Sequence, residues 1–230
     1  SKATTTEGMF NAAASFSQDL GQWDMSSVST LGSMFYGATD FDGQVGAWDV
    51  SKVSKMEHTF RATPFNQELD GWDVSKVTDM RSTFEEATTF NQPLTWDTSK
   101  VTTMEDTFKA ARSFSHPLDW DTSAVKTMDG TFQYSKFSNH PLVWDTSQVT
   151  SMESTFYGAE AYDSELNWDT SKVTSMDLAF KGAEAFNSEL AWDTSKVTEM
   201  WRTFDEAASF NQPLVWDTSA LTDMLYTFRY

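Results

Sequence analysis

From Phe90 the chain runs Phe-Asn-Gln-Pro, alternates apolar and polar through Leu94-Thr95-Trp96-Asp97, turns polar at Thr98-Ser99-Lys100, and becomes apolar again at Val101, Met104, Phe108, Ala111 and Phe114. Each part predicts an element. Asn91 and Pro93 favour a turn, because Asn tolerates turn geometry and Pro fixes φ and has no N–H. The alternation predicts a short strand, with Leu94 and Trp96 on one face and Thr95 and Asp97 on the other. Asp97 and Ser99 predict a second turn, their side chains accepting from amides two residues on. Met104, Phe108 and Ala111 recur at i, i+4 and i+7, one face of a two-turn helix that is too short to stand without packing on the strands.

The pattern returns along the whole chain. Trp-Asp stands at Trp23, Trp48, Trp72, Trp96, Trp120, Trp144, Trp168, Trp192 and Trp216, the first gap 25 residues and every later one 24. Ser follows three positions after each Trp, and an apolar residue two further on, as at Val53, Val77, Val125 and Leu221. A fixed period of this length is the signature of units that stack on their neighbours. The expected fold is therefore one α/β repeat solenoid over residues 1–230, about nine repeats long, right-handed and leucine-rich-repeat-like, with parallel short strands on one side and short helices on the other. Two repeats trade length: Phe60 to Phe65 and Phe132 to Phe137 are each one residue shorter than Phe84 to Phe90, and the residue is regained before Trp72 and Trp144. Stacking in register requires the total to be kept. Met9-Phe10, Ala13, Phe16 and Leu20 already follow the pattern, and the chain ends partway through a repeat at Thr227-Phe228-Arg229 without a polar closing unit. A fragment of a longer array is expected, or one whose ends are covered, for instance by identical chains.

The run Leu94-x-Trp96-x-x-Ser99-x-Val101 resembles the leucine-rich-repeat core L-x-L-x-x-N-x-L, with Trp for the second Leu and Ser for Asn. W-D-T-S-K-V-T-x-M followed by T-F-x-x-A-x-x-F-N-Q-P-L is similar to the short leucine-rich-like repeats of mycoplasma surface lipoproteins and of bacterial and algal surface proteins. The resemblance covers almost the whole chain and implies a non-enzymatic surface or adhesion-type protein. This sequence lacks the lipoprotein Cys and an anchor.

Charge narrows the partners. With 34 acidic against 16 basic residues and a net charge of −18, neither nucleic acid nor an anionic membrane is an expected partner, since both are bound through clustered Lys and Arg. Cys is absent, which removes disulfides and thiolate chemistry. No apolar run approaches the roughly 18 residues of a membrane span, and the opening residues carry no secretory leader pattern.

In an array each recurring residue becomes a column, and columns are where chemistry is sought. Trp72, Trp96, Trp120, Trp144, Trp168 and Trp192 share a face with Leu two residues earlier and are expected in the core, with a sugar-stacking platform as the alternative. Asp73, Asp97, Asp121, Asp145, Asp169 and Asp193 could line up carboxylates for Ca²⁺; the competing reading has each cap its own turn and pair with Lys three residues on, as Asp97 with Lys100. Ser75, Ser99, Ser123, Ser147, Ser171 and Ser195 are expected to bridge coils as an Asn ladder does. The Thr column from Thr98 invites an ice-binding reading, weakened by Met25, Val50 and Val74 at the same place. His58, His116 and His140 share no repeat position that would supply a base or a metal ligand. No catalytic, metal or cofactor site is read.

Variable positions carry the candidate partner-binding residues: Thr95, Asp119, Val143, Asn167, Ala191 and Val215, expected outward on the concave strand face, and Trp201 beside Arg202 on the helix layer, an interface-enriched pair. The function expected is non-catalytic protein recognition or scaffolding, extracellular or at the cell surface, with a carbohydrate-binding adhesin and calcium-dependent extracellular matrix assembly as alternatives.

Overall fold

The computed structural model describes residues 3–138 and 140–229. The repeats stack with corresponding residues over one another, but the elements within them are not those the pattern predicts. Among the described residues there is no α-helix and no strand of more than one bridged residue. Successive coils are joined by single parallel bridges, Thr30 to Lys55, Lys55 to Asp79 and so on to Asp223. The expected α/β solenoid of helices over a strand layer is thus incorrect, and so is its leucine-rich-repeat-like character.

The helix fails for a reason visible in the amides of residues 106–111. Asp106, Phe108 and Ala110 donate to Asp129, Thr131 and Gln133 of the next coil, at 2.7–2.9 Å. Thr107, Lys109 and Ala111 donate three residues back, to Met104, Asp106 and Phe108. An α-helix needs every amide to reach four residues back, so alternating ownership excludes it. The segment is instead a run of tight turns with left-handed residues four apart, such as Asp106 at φ 52° and Ala110 at φ 54°. Those residues stand third in the turns closed by Thr107 and Ala111, where a type II turn demands positive φ. Turns repeating every four residues bury the same i, i+4, i+7 set as a helix, so Met104, Phe108 and Ala111 are fully buried without one.

The strand fails differently. Leu94 and Trp96 are buried and Thr95 and Asp97 exposed, so the side chains alternate, yet side chains rather than backbone ladders tie the coils here. Trp120 Nε1–H donates to Leu94 O at 3.0 Å, and the same bond recurs from Trp48 to Trp192. Thr98 Oγ1–H donates to Asp121 O at 2.8 Å, and Thr122, Thr146, Thr170 and Thr194 repeat it. The indole rings are nearly parallel copies with centroids 6.1–6.4 Å apart.

Two Phe columns fill the interior. Phe84 and Phe90 stack at 4.2 Å within a coil, and Phe84 lies 5.7 Å from Phe60 and 5.6 Å from Phe108 in the flanking coils. A buried Thr column seals the polar backbone between them. Thr107 Oγ1 lies 2.8 Å from Met104 O and 3.0 Å from Met80 O of the preceding coil, so its proton is shared between the two carbonyls, and Thr59, Thr83, Thr131 and Thr155 do the same. Met104 O and Met80 O already accept from Thr107 N and Thr83 N, so the shared proton satisfies the hydroxyl, whose burial without a partner would cost roughly 1–3 kcal/mol.

Candidate binding surface

The Trp column is interior: Trp48 to Trp192 are 3–5 % exposed, while Trp23 is 40 % exposed. The Thr column is interior as well. Thr98, Thr122, Thr146, Thr170 and Thr194 are 1 % exposed, and of the column only Thr218, in the last coil, is exposed, which overturns the outward, ice-binding placement. Met25, Val50 and Val74 share that column because it faces apolar neighbours.

Asp97 Oδ1 accepts from Ser99 N at 3.1 Å and from Ser99 Oγ–H at 2.7 Å, and Asp121 and Ser123 repeat the pair. The Ser hydroxyl first, and its amide second, hold the Asp73, Asp97, Asp121, Asp145 and Asp169 carboxyls below the ordinary carboxylate range. For Asp193 the Ser195 amide is the larger influence. The serines therefore bond within their own coil, not across coils as expected. Asp97 and Lys100 form no ion pair, and Lys76 Nζ donates instead to Ser51 O at 2.8 Å. Among the described residues no three His, Cys, Asp or Glu side chains converge to hold a metal ion.

The cross-coil polar ladder lies in the turn that follows the second Phe. Asn66 Oδ1 accepts from Asn91 N at 2.8 Å, Asn91 Oδ1 from Ser115 N at 3.1 Å, and Asn187 Oδ1 from Asn211 N at 2.8 Å. One position on, Gln92 Nε2–H donates to Asn66 O, and His116 and His140 take the same role toward Asn91 O and Ser115 O at 3.2 and 2.9 Å. A carbonyl can only accept, so Nε2 carries the proton in both histidines. Recurrence of Asn after Phe signals this ladder, but in one repeat the motif is indistinguishable from a turn.

With no sheet there is no concave strand face, and the outward positions stand on the wall between the ladder turn and the Trp column. Val143 is 90 % and Val215 94 % exposed; Asp119, Asn167 and Ala191 are also exposed. Thr95 is exposed but engaged, its amide and hydroxyl both donating to Asp70 Oδ1 at 3.0 Å. A cavity of about 400 Å³ joins Thr95 and Asp119 with Pro93, His116 and Pro117. Trp201 and Arg202 lie on the opposite, turn-built side, too far along the coil to share that wall. Both are half-buried, with the guanidinium 4.8 Å from the indole centroid and 5.4 Å from the Tyr226 ring.

The position after the first Phe carries alternating charge over two runs, Arg61-Glu85-Lys109 and Lys181-Asp205-Arg229, and is uncharged at Asn11, Tyr36, Gln133 and Tyr157. Glu85 is buried between Arg61 at 3.1 Å and Lys109 at 3.4 Å, and Asp205 between Lys181 at 3.5 Å and Arg229 at 3.0 Å. These triads match acid to base only in the observed register.

Two notches open at the shortened coils, on the edge that precedes the ladder turn. One, about 250 Å³, is lined by Thr39, Ala62, Thr63, Pro64, Glu86 and Thr88. The other, about 600 Å³, is lined by residues including Arg112, Tyr134, Lys136 and Glu160. Burial, and then a hydrogen bond with Tyr157, push the Tyr134 hydroxyl up to about 12. Sequence reasoning did not single out these residues, although the one-residue loss between Phe132 and Phe137 marks the place.

Stack and surface together define a repeat domain in which recurring side chains hold coil to coil and variable ones face outward. The chain belongs to the family described as "Mycoplasma protein of unknown function, DUF285", whose model matches residues 1–70, 59–166 and 135–230. No curated protein and no solved structure matches the chain. No helix among the described residues is long and apolar enough to cross a membrane.

Proposed function

We propose that this repeat domain is a non-catalytic recognition or scaffold module, presented at the cell surface or outside the cell, which docks a protein partner on the wall carrying Asp119, Val143, Asn167, Ala191 and Val215. One observation carries the reading: the recurring Trp, Asp, Ser and Thr side chains are consumed in bonds within the stack, while the wall positions vary and two of them are valines at 90 % and 94 % exposure. Interface centres favour uncharged residues over charged ones, and four of these five positions are uncharged.

The test is affinity capture from native extract, with mass spectrometry and glycan analysis, by the wild-type chain and by a Val143→Asp/Val215→Asp variant. Protein subunits in fixed ratio that the variant fails to retain support the reading. Equal capture by both chains sinks the proposed face, and polysaccharide without stoichiometric protein replaces protein docking with glycan adhesion.

A further inference from the structure

The larger notch has the make-up of a ligand site. In ordinary coils two residues separate the Ala of the turn from the second aromatic residue, as in Arg112-Ser113 before Phe114 or Glu160-Ala161 before Tyr162, but only Lys136 stands between Ser135 and Phe137. The missing residue leaves a gap of about 600 Å³ between Arg112 on one flanking coil and Glu160 on the other, with Ser135 and Gly158 beneath. That lies within the roughly 300–1,000 Å³ of small-ligand sites.

Tyr134 forms one wall and is held in place from several sides. Its backbone takes φ 54°, the left-handed turn conformation that the equivalent residue of every coil from Ala12 to Glu206 adopts. The ring lies over Gly158, where a Cβ would overlap it, and its centroid is 4.7 Å from that of Tyr157. It nonetheless remains 44 % exposed, so an aromatic surface is presented to the notch.

The charge of the notch runs against the charge of the chain. Along the whole edge between the Ala and second Phe columns, Arg112 and Lys136 are the two basic residues. They sit in adjacent coils, both line this notch, and neither makes an ion pair among the described residues. Glu160 adds one carboxylate, leaving the local balance positive in a chain of net charge −18. Beyond about 8 Å at physiological ionic strength the distant acids are screened, so the local groups decide what binds.

A pyranose ring has an apolar C–H face that packs on an aromatic surface and a rim of hydroxyls that needs both donors and acceptors. Tyr134 supplies the surface, Arg112 and Lys136 the donors, and Glu160 the acceptor. We propose that the notch binds an anionic pyranose of the hexuronate class, its ring face on Tyr134, its carboxylate received by Arg112 and Lys136, and a hydroxyl donating to Glu160. The smaller notch, with Ala62, Pro64 and Glu86 in the corresponding places, lacks both ring and cation and serves as an internal control.

Titration of the full chain with trigalacturonate, by calorimetry and by amide chemical shifts, tests the proposal. Binding is expected with shifts confined to residues around 112, 134–138 and 158–161, and none around 62–64. Lys136→Gln should weaken it about tenfold, the effect of one charge-assisted hydrogen bond. Arg112→Gln/Lys136→Gln, which alters only exposed side chains, should abolish it at unchanged melting temperature, and Tyr134→Ala should do the same if that variant folds. The proposal is overturned if trigalacturonate at about 10 mM, enough to reveal millimolar affinity, leaves the wild type unshifted. It is overturned equally if the methyl-esterified trisaccharide or hexaglutamate binds as tightly as the acid sugar, or if the double variant binds like wild type.

Discussion

Between Phe60 and Phe65, as between Phe132 and Phe137, four residues stand where other full-length coils have five. Inside the stack both coils meet the loss in the same way. Elsewhere the second Phe donates its amide to the Ala carbonyl three residues back, as Phe114 does to Ala111. In the short coils Thr63 and Ser135 replace that Ala, and their hydroxyl oxygens accept from Phe65 N at 3.4 Å and Phe137 N at 3.3 Å. Outside, the two coils diverge. Ala62, Pro64 and Glu86 make a shallow, acidic dent, whereas Tyr134, Lys136 and Gly158 make a deeper one with an aromatic wall and positive charge. A buried amide must be satisfied, so the interior admits one kind of solution; the exterior is under no such demand and is free to specialise.

The comparison can be broken first at what both coils share. Phe60→Ala and Phe132→Ala should each cost about 3–5 kcal/mol, as truncation of a fully buried Phe does. Because repeat arrays lose stability locally and at nearest neighbours, amide hydrogen exchange should rise in the mutated coil and the two beside it, to similar extents at both sites. A clear inequality would show that the notches differ in their interiors too.

Next is the charge column, present at one notch only. Glu85→Gln should destabilise by about 2 kcal/mol, less than the 3–5 kcal/mol of breaking a fully buried pair, since Arg61 and Lys109 can still reach water. At the second notch the corresponding column holds Gln133 and Tyr157, and Gln133→Ala should shift the denaturation midpoint little.

The hydroxyls that absorb the missing residue should also separate. Thr63 Oγ1–H additionally donates to Phe60 O at 2.8 Å, so Thr63→Ala should cost about 1.5 kcal/mol and Ser135→Ala about 1 kcal/mol, read from denaturant midpoints at constant slope. Equal costs would mean that the second bond contributes nothing. Gly158→Ala should cost about 1 kcal/mol through its φ of 65° and displace Tyr134, detectable as a change in Tyr fluorescence or ring shifts. Glu86, at φ 58° in the matching place, should accept Ala almost without effect.

Acid should not distinguish the two coils. The Asp of the Asp-x-Ser turns from Asp49 to Asp217 has its folded pKa lowered, so its contribution is present above the ordinary Asp value near 3.9. It is lost as pH falls through the lower folded value. Stability should therefore decline below about pH 4, and changing Ser99 or Ser123 to Ala should flatten that decline equally wherever in the stack it is made.

Much of the organisation is legible along the chain. The 24-residue period, the inward Trp and Phe columns, and the compensated one-residue losses follow from where apolar residues recur. What misled was the i, i+4, i+7 spacing of Met104, Phe108 and Ala111, because turns every four residues and an α-helix bury the same positions. A trace of the difference is present: glycine recurs at the left-handed places, as at Gly37, Gly130, Gly158 and Gly182. It alternates there with Ala, Asp and Glu, which hides the requirement.

Periodicity determined that the chain would stack and which side chains would be inside. Only the tertiary structure decided to whom each backbone and polar group belongs. Whether an amide bonds within its turn or to the next coil, whether Ser99 reaches its own Asp97 or a neighbour, and whether a missing residue leaves a dent or a cleft all depend on how neighbouring coils sit against one another. That arrangement arises from packing across repeats, and no single repeat encodes it.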